Sequence, residues 1–213
     1  MIITIGGTFG SGGKGVAEDL SKLLGYKLCD DELVLEVVKD LDIDLKESTF
    51  QLFDESSGTA SLDTLKTLSS IPGKNSYTAL VSALSTDVVP LDRKIAAAQE
   101  ELINRLADED NVILMGRCAN YYLRKRSNCL RVFCVDLIEN RIKRIQEIHK
   151  VTEKEAAKII LNTDKRRRDY FSFFTHQSWG DIEYYDVCVN IAPRGVEKTT
   201  QYIKAIVDVA VGK

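Results

Sequence analysis

The chain alternates short β-branched runs with longer stretches in which apolar residues recur every three or four positions. Ile2, Ile3, Thr4 and Ile5 make one such run, which stops at Gly6-Gly7; after Gly15, the residues Val16, Leu20, Leu23 and Leu24 share one helical face. This predicts a strand, a glycine loop and a helix. Gly25 ends that helix, a short second strand is expected over 26–29, and Asp30-Asp31 stands where an N-cap belongs before a helix over 33–41. Across 42–89 the pattern loosens into a Ser- and Thr-rich stretch with short helical signals near 59–68 and 77–84, read as an inserted helical lobe. Ile95, Ala98, Leu102 and Leu106 then mark a long helix leading into a buried strand over 111–115, followed by Gly116-Arg117. A strand over 130–135 ends at Asp136, a basic helix covers 137–150, and a second runs from Thr152 into Lys165-Arg166-Arg167-Arg168. The last strand is expected over 187–191 and the last helix over 196–211. Strands alternating with helices imply a three-layer α/β fold with a mostly parallel, helix-covered sheet.

Composition narrows the class. With 213 residues, 44% hydrophobic and 29% charged, the chain has ample material for a core, and disorder is excluded. No apolar run approaches the ~18 residues of a membrane span, and no basic stretch precedes the first strand, so a cytoplasmic protein with no secretory signal and no membrane partner is expected. A net charge of −3 lacks the basic excess that a nucleic-acid partner requires. The five cysteines (Cys29, Cys118, Cys129, Cys134, Cys188) contain no CxxC pair and are read as structural. His149 and His176 are too few and too separated for a metal cluster or a Ser/His/Asp triad. Nothing in the sequence sets an oligomeric state.

The segment richest in chemistry is Gly6-Gly7-Thr8-Phe9-Gly10-Ser11-Gly12-Gly13-Lys14-Gly15. Small residues between a strand and a helix let backbone N–H groups curl around an anion, and the helix N-terminus adds a favourable dipole. Gly7, Gly10, Ser11, Gly12, Gly13, Lys14 and Gly15 are therefore the candidate phosphate-binding residues. The loop departs from the G-x-x-x-x-G-K-[ST] pattern: counted from Gly7, the second glycine is Gly12, Gly13 takes the lysine place, and Lys14 comes one position late. Gly15 and Val16 follow, so the hydroxyl that binds Mg²⁺ in that pattern is missing. A shift of one residue turns a side chain by ~100° around a helix, and Lys14 would have to reach back along its stem.

Together with this loop, the segments Gly25-Tyr26 to Asp30-Asp31-Glu32, Gly116-Arg117-Cys118-Ala119-Asn120-Tyr121, Asp164-Lys165-Arg166-Arg167, and Trp179 with Tyr185-Asp186-Val187 resemble the cytidylate kinase-like family, which is related to the nucleoside monophosphate kinases. The resemblance spans nearly the whole chain, the lobe over 42–89 being poorly anchored. It implies a P-loop kinase core over 1–41 and 90–213, a basic lid over about 141–180, and an acceptor-binding lobe over 42–89. It also implies transfer of the ATP γ-phosphoryl, with Mg²⁺, to a nucleoside monophosphate, CMP or dCMP first.

By that resemblance Arg117 holds the acceptor phosphate, Asp30 stands near the acceptor, Asp164 orients arginines or the acceptor, and Arg167 stabilises the transferring group, with Arg141 and Lys14 as further catalytic cations. The residues alone leave alternatives. Arg117 also reads as a surface residue at a helix start and Asp30 as an N-cap, while Asp136 either holds a water on Mg²⁺ or caps its helix. Arg141 and Arg144, three apart, share a face, and the 165–168 cluster reads either as a solvated charged face near a helix C-terminus or, before Tyr170-Phe171-Ser172-Phe173-Phe174, as a segment that closes over a ligand. Competing functions are a catalytically weak nucleotide-binding regulatory module, favoured by the displaced lysine, and a kinase of another small metabolite.

Overall fold

In the computed structural model, residues 1–30 and 91–212 are described; the helix expected over 33–41 and the lobe over 42–89 lie outside the described residues. By its contacts the chain divides into two units, residues 1–30 with 103–213 and residues 31–102. Five strands, β1 (Ile2–Gly7), β2 (Lys27–Cys29), β3 (Val112–Met115), β4 (Cys129–Val135) and β5 (Val187–Asn190), form one sheet in the order β2-β3-β1-β4-β5. Every pairing is parallel. The helices are α1 (Gly13–Leu24), α2 (Leu91–Asp108), α3 (Ala119–Tyr122), α4 (Ile138–His149), α5 (Glu153–Thr175) and α6 (Gly195–Ala210).

The β-branched run of β1 occupies the centre because both of its faces are apolar. Ile3 and Ile5 pack with Val16, Ala17 and Leu20 of α1 and Ile203 and Val207 of α6, whereas Ile2 points to the opposite face and is equally buried. The register pairs Ile5 with Met115, Gly7 with Cys134 and Cys29 with Leu114, so the ends of β1, β2, β3 and β4 reach one edge of the sheet together. In a parallel sheet that C-terminal edge is where ligands bind.

Local signals act as expected in most places. Gly25 closes α1 in the left-handed conformation at φ 69°, its N–H bonded to Ser21 O at 2.9 Å. Thr152 and Glu155 form a reciprocal capping box that starts α5, and the two hydrogen bonds from Thr152 lower the Glu155 pKa. Two details differ from the sequence pattern. Leu23 is exposed, since the buried face of α1 runs through Gly13, Val16, Ala17 and Leu20. The aromatic stretch 170–174 lies in the last turns of α5, with Phe171 buried, Tyr170 in a tilted contact with Phe174 and Phe173 exposed.

Cys29, Cys118, Cys129 and Cys134 are buried free thiols and Cys188 is exposed. Burial pushes Cys129 up to about 11 and Cys134 up to about 12, so both stay protonated and inert. Titration with a thiol reagent near pH 8 is expected to give a single fast-reacting cysteine, lost in Cys188→Ser, with the other four reacting only on denaturation.

Candidate active site

The loop between β1 and α1 is shaped by contact with β4. The Cys134 carbonyl accepts the Thr8 N–H at 3.0 Å, and a Cβ placed on Gly7 would stand 2.4 Å from that same oxygen. No side chain fits at Gly7. Gly10 and Gly12 have φ of +76° and +94°, a region that favours glycine. Ser11 is buried, donating its N–H to Thr8 O and accepting the Gly13 N–H on Oγ. Val16 N–H bonds back to Gly12 O, while the amides of Gly10, Gly12 and Gly15 have no acceptor among the described residues. A curled loop with unclaimed N–H groups at a helix N-terminus is an anion cradle.

Basic side chains from α4 and α5 converge on this loop, but they do so through its carbonyls. Arg141 Nε donates to Phe9 O at 2.8 Å and its terminal nitrogen pairs with Asp164, whose other oxygen accepts the Phe9 N–H at 2.8 Å. Arg144 donates to Gly10 O and, at 3.1 Å, to Asp136. Arg167 donates to Gly7 O at 3.0 Å and lies 5.3 Å from the centre of the Phe9 ring. The loop therefore carries a rim of guanidinium groups.

Asp136 is a side chain 1% exposed that accepts the Leu137 N–H, the Asn140 amide and Arg144. It stands one residue before Leu137, the N-cap of α4, which has no side-chain cap, and it anchors Arg144 against the loop.

Lys14 turns the other way. Its Nζ lies 2.9 Å from Asp30 Oδ2, at the end of β2. Gly13, in the ordinary lysine place, packs so closely that a Cβ there would be 3.2 Å from Cys134 Cβ. Arg117 follows β3 as a buried residue, in a run of three left-handed residues with Gly116 at φ 61°, Arg117 at 53° and Cys118 at 58°. For non-glycine residues this conformation costs of order 1–3 kcal/mol each and concentrates at functional sites. Among the candidate residues, then, Arg141, Asp164, Arg167 and Asp136 gather around the glycine loop. Lys14 and Asp30 form a separate pair, and Arg117 stands on the same sheet edge.

The chain belongs to the cytidylate kinase-like family. The model of that family matches residues 2–193. Among solved structures, the chain is similar to an uncharacterized protein from Eubacterium ventriosum, with 27% identity, a TM-score of 0.69 and 98% of each chain covered. It also superposes on a shikimate kinase from Bacteroides thetaiotaomicron (10% identity, TM-score 0.52, 98% of each chain) and on one from Acinetobacter baumannii in complex with shikimate (12%, 0.50, 97% of this chain and 92% of that one). These two likenesses establish the P-loop kinase fold. No curated protein matches the sequence. Among the described residues no helix is long and apolar enough to cross a membrane.

Two residues important to this family member's site, Phe9 and Arg144, were not among the candidate site residues. The signal for Phe9 was a large apolar ring in a loop otherwise made of small residues, which demands a packing partner. Arg144 was visible only as a helical neighbour of Arg141.

The Gly7 contact yields a stability test. Gly7→Ala is expected to destabilise the protein by about 2–3 kcal/mol, a fall in Tm of ~5–10 °C for a chain of this size. Gly25→Ala, left-handed but with open space around it, should cost only about 1 kcal/mol; thermal denaturation of both variants checks the contrast.

Proposed function

We propose that this chain is an ATP-dependent phosphotransferase whose acceptor is a nucleoside monophosphate, CMP or dCMP first. The observation that carries the reading is the glycine loop: among the described residues the amides of Gly10, Gly12 and Gly15 have no acceptor, at the end of the central strand, inside a rim of guanidinium groups. Phosphoryl transfer asks little covalent chemistry of a protein; positioning and neutralisation of spreading charge supply most of the catalysis. The loop amides would hold the ATP phosphates and Arg144 and Arg167 would contribute charge beside them. Arg117, strained and buried at the end of β3, is assigned to the acceptor phosphate.

Mg²⁺ would be held mainly by the nucleotide phosphates and water, which its octahedral shell favours. Among the described residues no group of three or more His, Cys, Asp or Glu side chains is arranged for a metal ion. Asp136, whose oxygens accept from three donors, is the candidate to hold a water of such an ion.

A catalytically weak nucleotide-binding module is the second reading, favoured by the glycine at position 13 and by the pairing of Lys14 with Asp30. A coupled assay of purified protein with MgATP against CMP, dCMP, UMP, AMP, GMP and non-nucleotide acceptors separates the readings. Turnover is expected with a cytidine monophosphate; ATP binding without turnover on any acceptor supports the module, and turnover only on a non-nucleotide moves the chain to another metabolite. In the active case Lys14→Ala is expected to raise the acceptor KM by about tenfold, the scale of one charge-assisted contact, and to leave the ATP KM within about twofold. A loss confined to the ATP KM would mean that the ammonium swings back to the phosphate loop.

A further inference from the structure

Phe9 is gripped on every side. Its ring is buried among Ile145 of α4 and Ala156 and Ile160 of α5. Its N–H bonds to one oxygen of Asp164, its carbonyl accepts from Arg141 Nε, and Arg141 and Asp164 are paired with each other. These contacts close a ring: Phe9 N–H, the carboxylate, the guanidinium, and Phe9 C=O. Side-chain exposures of 10% for Arg141 and 14% for Asp164 put the ion pair largely out of solvent, where such bonds are strong and costly to break. Gly10 packs on the same structure, since a Cβ there would lie 3.1 Å from Ile145 and 3.4 Å from the Arg141 carbonyl.

We propose that Arg141 and Asp164 are positioning residues, an ion-pair clamp from α4 and α5 that holds Phe9 by its N–H and C=O and so sets the loop shape that exposes the neighbouring amides to ATP phosphates. This rests on the reading of the loop as an ATP site. It gives Asp164 a role on the loop, one carboxylate oxygen on the backbone of Phe9 and the other on Arg141. The clamp also couples the sites. Arg167 rides on the same helix as Asp164, three residues on, so a movement of α5 and the shape of the loop are one event.

The test combines amide hydrogen exchange of the ligand-free protein with substrate kinetics. In Asp164→Ala the amides of Phe9 and Ser11 are expected to exchange about tenfold faster or more, that being the protection of a buried charge-assisted bond. Thr8, held by the Cys134 carbonyl, should be unchanged. The ATP KM, and the Kd of a non-hydrolysable ATP analogue by calorimetry, should rise by about tenfold or more, with the acceptor KM at saturating ATP moving less than about twofold. Asp164→Asn, whose oxygen still accepts from Phe9, should restore part of both effects. Unchanged exchange at Ser11, or a rise in the acceptor KM with analogue binding intact, overturns the clamp. Faster exchange spread evenly over the sheet, Thr8 included, also overturns it, because a general loss of packing would do that. If Asp164→Ala does not fold, Arg141→Lys keeps the charge but cannot bond both Phe9 O and Asp164 in the same fork, and the same local pattern is expected. If the wild-type protein binds no ATP analogue, the proposed function fails, and the exchange of Phe9 and Ser11 alone decides the clamp.

Discussion

The burial of one aromatic ring in a loop of small residues organises this site. A glycine-rich loop has many conformations to lose, and with the amides of Gly10, Gly12 and Gly15 having no acceptor among the described residues, its own bonds hold it only in part. Phe9 supplies a further hold from outside, because its ring is inserted between α4 and α5 at Ile145, Ala156 and Ile160. Burying a phenyl group contributes roughly 2–3 kcal/mol, enough to favour one loop shape over several alternatives. From there Gly10 is drawn against Ile145, and the carbonyls of Phe9 and Gly10 are carried to the arginines.

That placement decides how the basic residues work. Three guanidinium groups crowd around a short loop, which would be repulsive without neutralisation. Asp164 pairs with Arg141 and the buried Asp136 with Arg144, while Arg167 lies near the Phe9 ring face and on the Gly7 carbonyl. Each cation is thereby held in place by the fold, and under the proposed function such fixed charges would stabilise a transferring group without the reorganisation that mobile ones require. Of the three carbonyls these arginines bind, that of Phe9 shares its peptide with the Gly10 amide, whereas the N–H groups paired with the Gly7 and Gly10 carbonyls, those of Thr8 and Ser11, are bonded to Cys134 O and Thr8 O.

Much of this was legible in the sequence where the determinants are local. The β-branched run of β1, the glycine loop and the apolar face of α1 are neighbours in sequence, and the alternation of strands with helices was sufficient for the parallel sheet. Contacts between distant segments were not legible. Spacing alone gave Arg141 and Arg144 a shared face, yet their division between Asp164 and Asp136 depends on where α5 and the end of β4 lie in space. The left-handed run at Gly116-Arg117-Cys118 was equally hidden, because only Gly116 announces such a backbone in its residue type. Leu23 shows the converse failure: it fits the helical period of α1 and is nonetheless exposed, since period says which residues share a face but not how far the neighbouring layer extends.

The displaced lysine follows from the same packing. At position 13 a side chain would start 3.2 Å from Cys134 Cβ and near Ser11 Oγ, at 3.6 Å, so the inner side of the loop there is closed by β4. Glycine fits this geometry as it stands, whereas a larger residue needs Cys134 to give by a few tenths of an ångström, on a strand whose Cys134 carbonyl already holds Thr8. A cation one residue later emerges ~100° further round the helix, on the side where β2 ends, and there Asp30 meets it at 2.9 Å. The ammonium is thus held on the β2 side of the loop, while the guanidinium groups of Arg141, Arg144 and Arg167, from α4 and α5, lie on the loop carbonyls. The tight contact of Gly13 with Cys134 and the pairing of Lys14 with Asp30 therefore act in the same direction, both favouring the basic residue at position 14 over position 13.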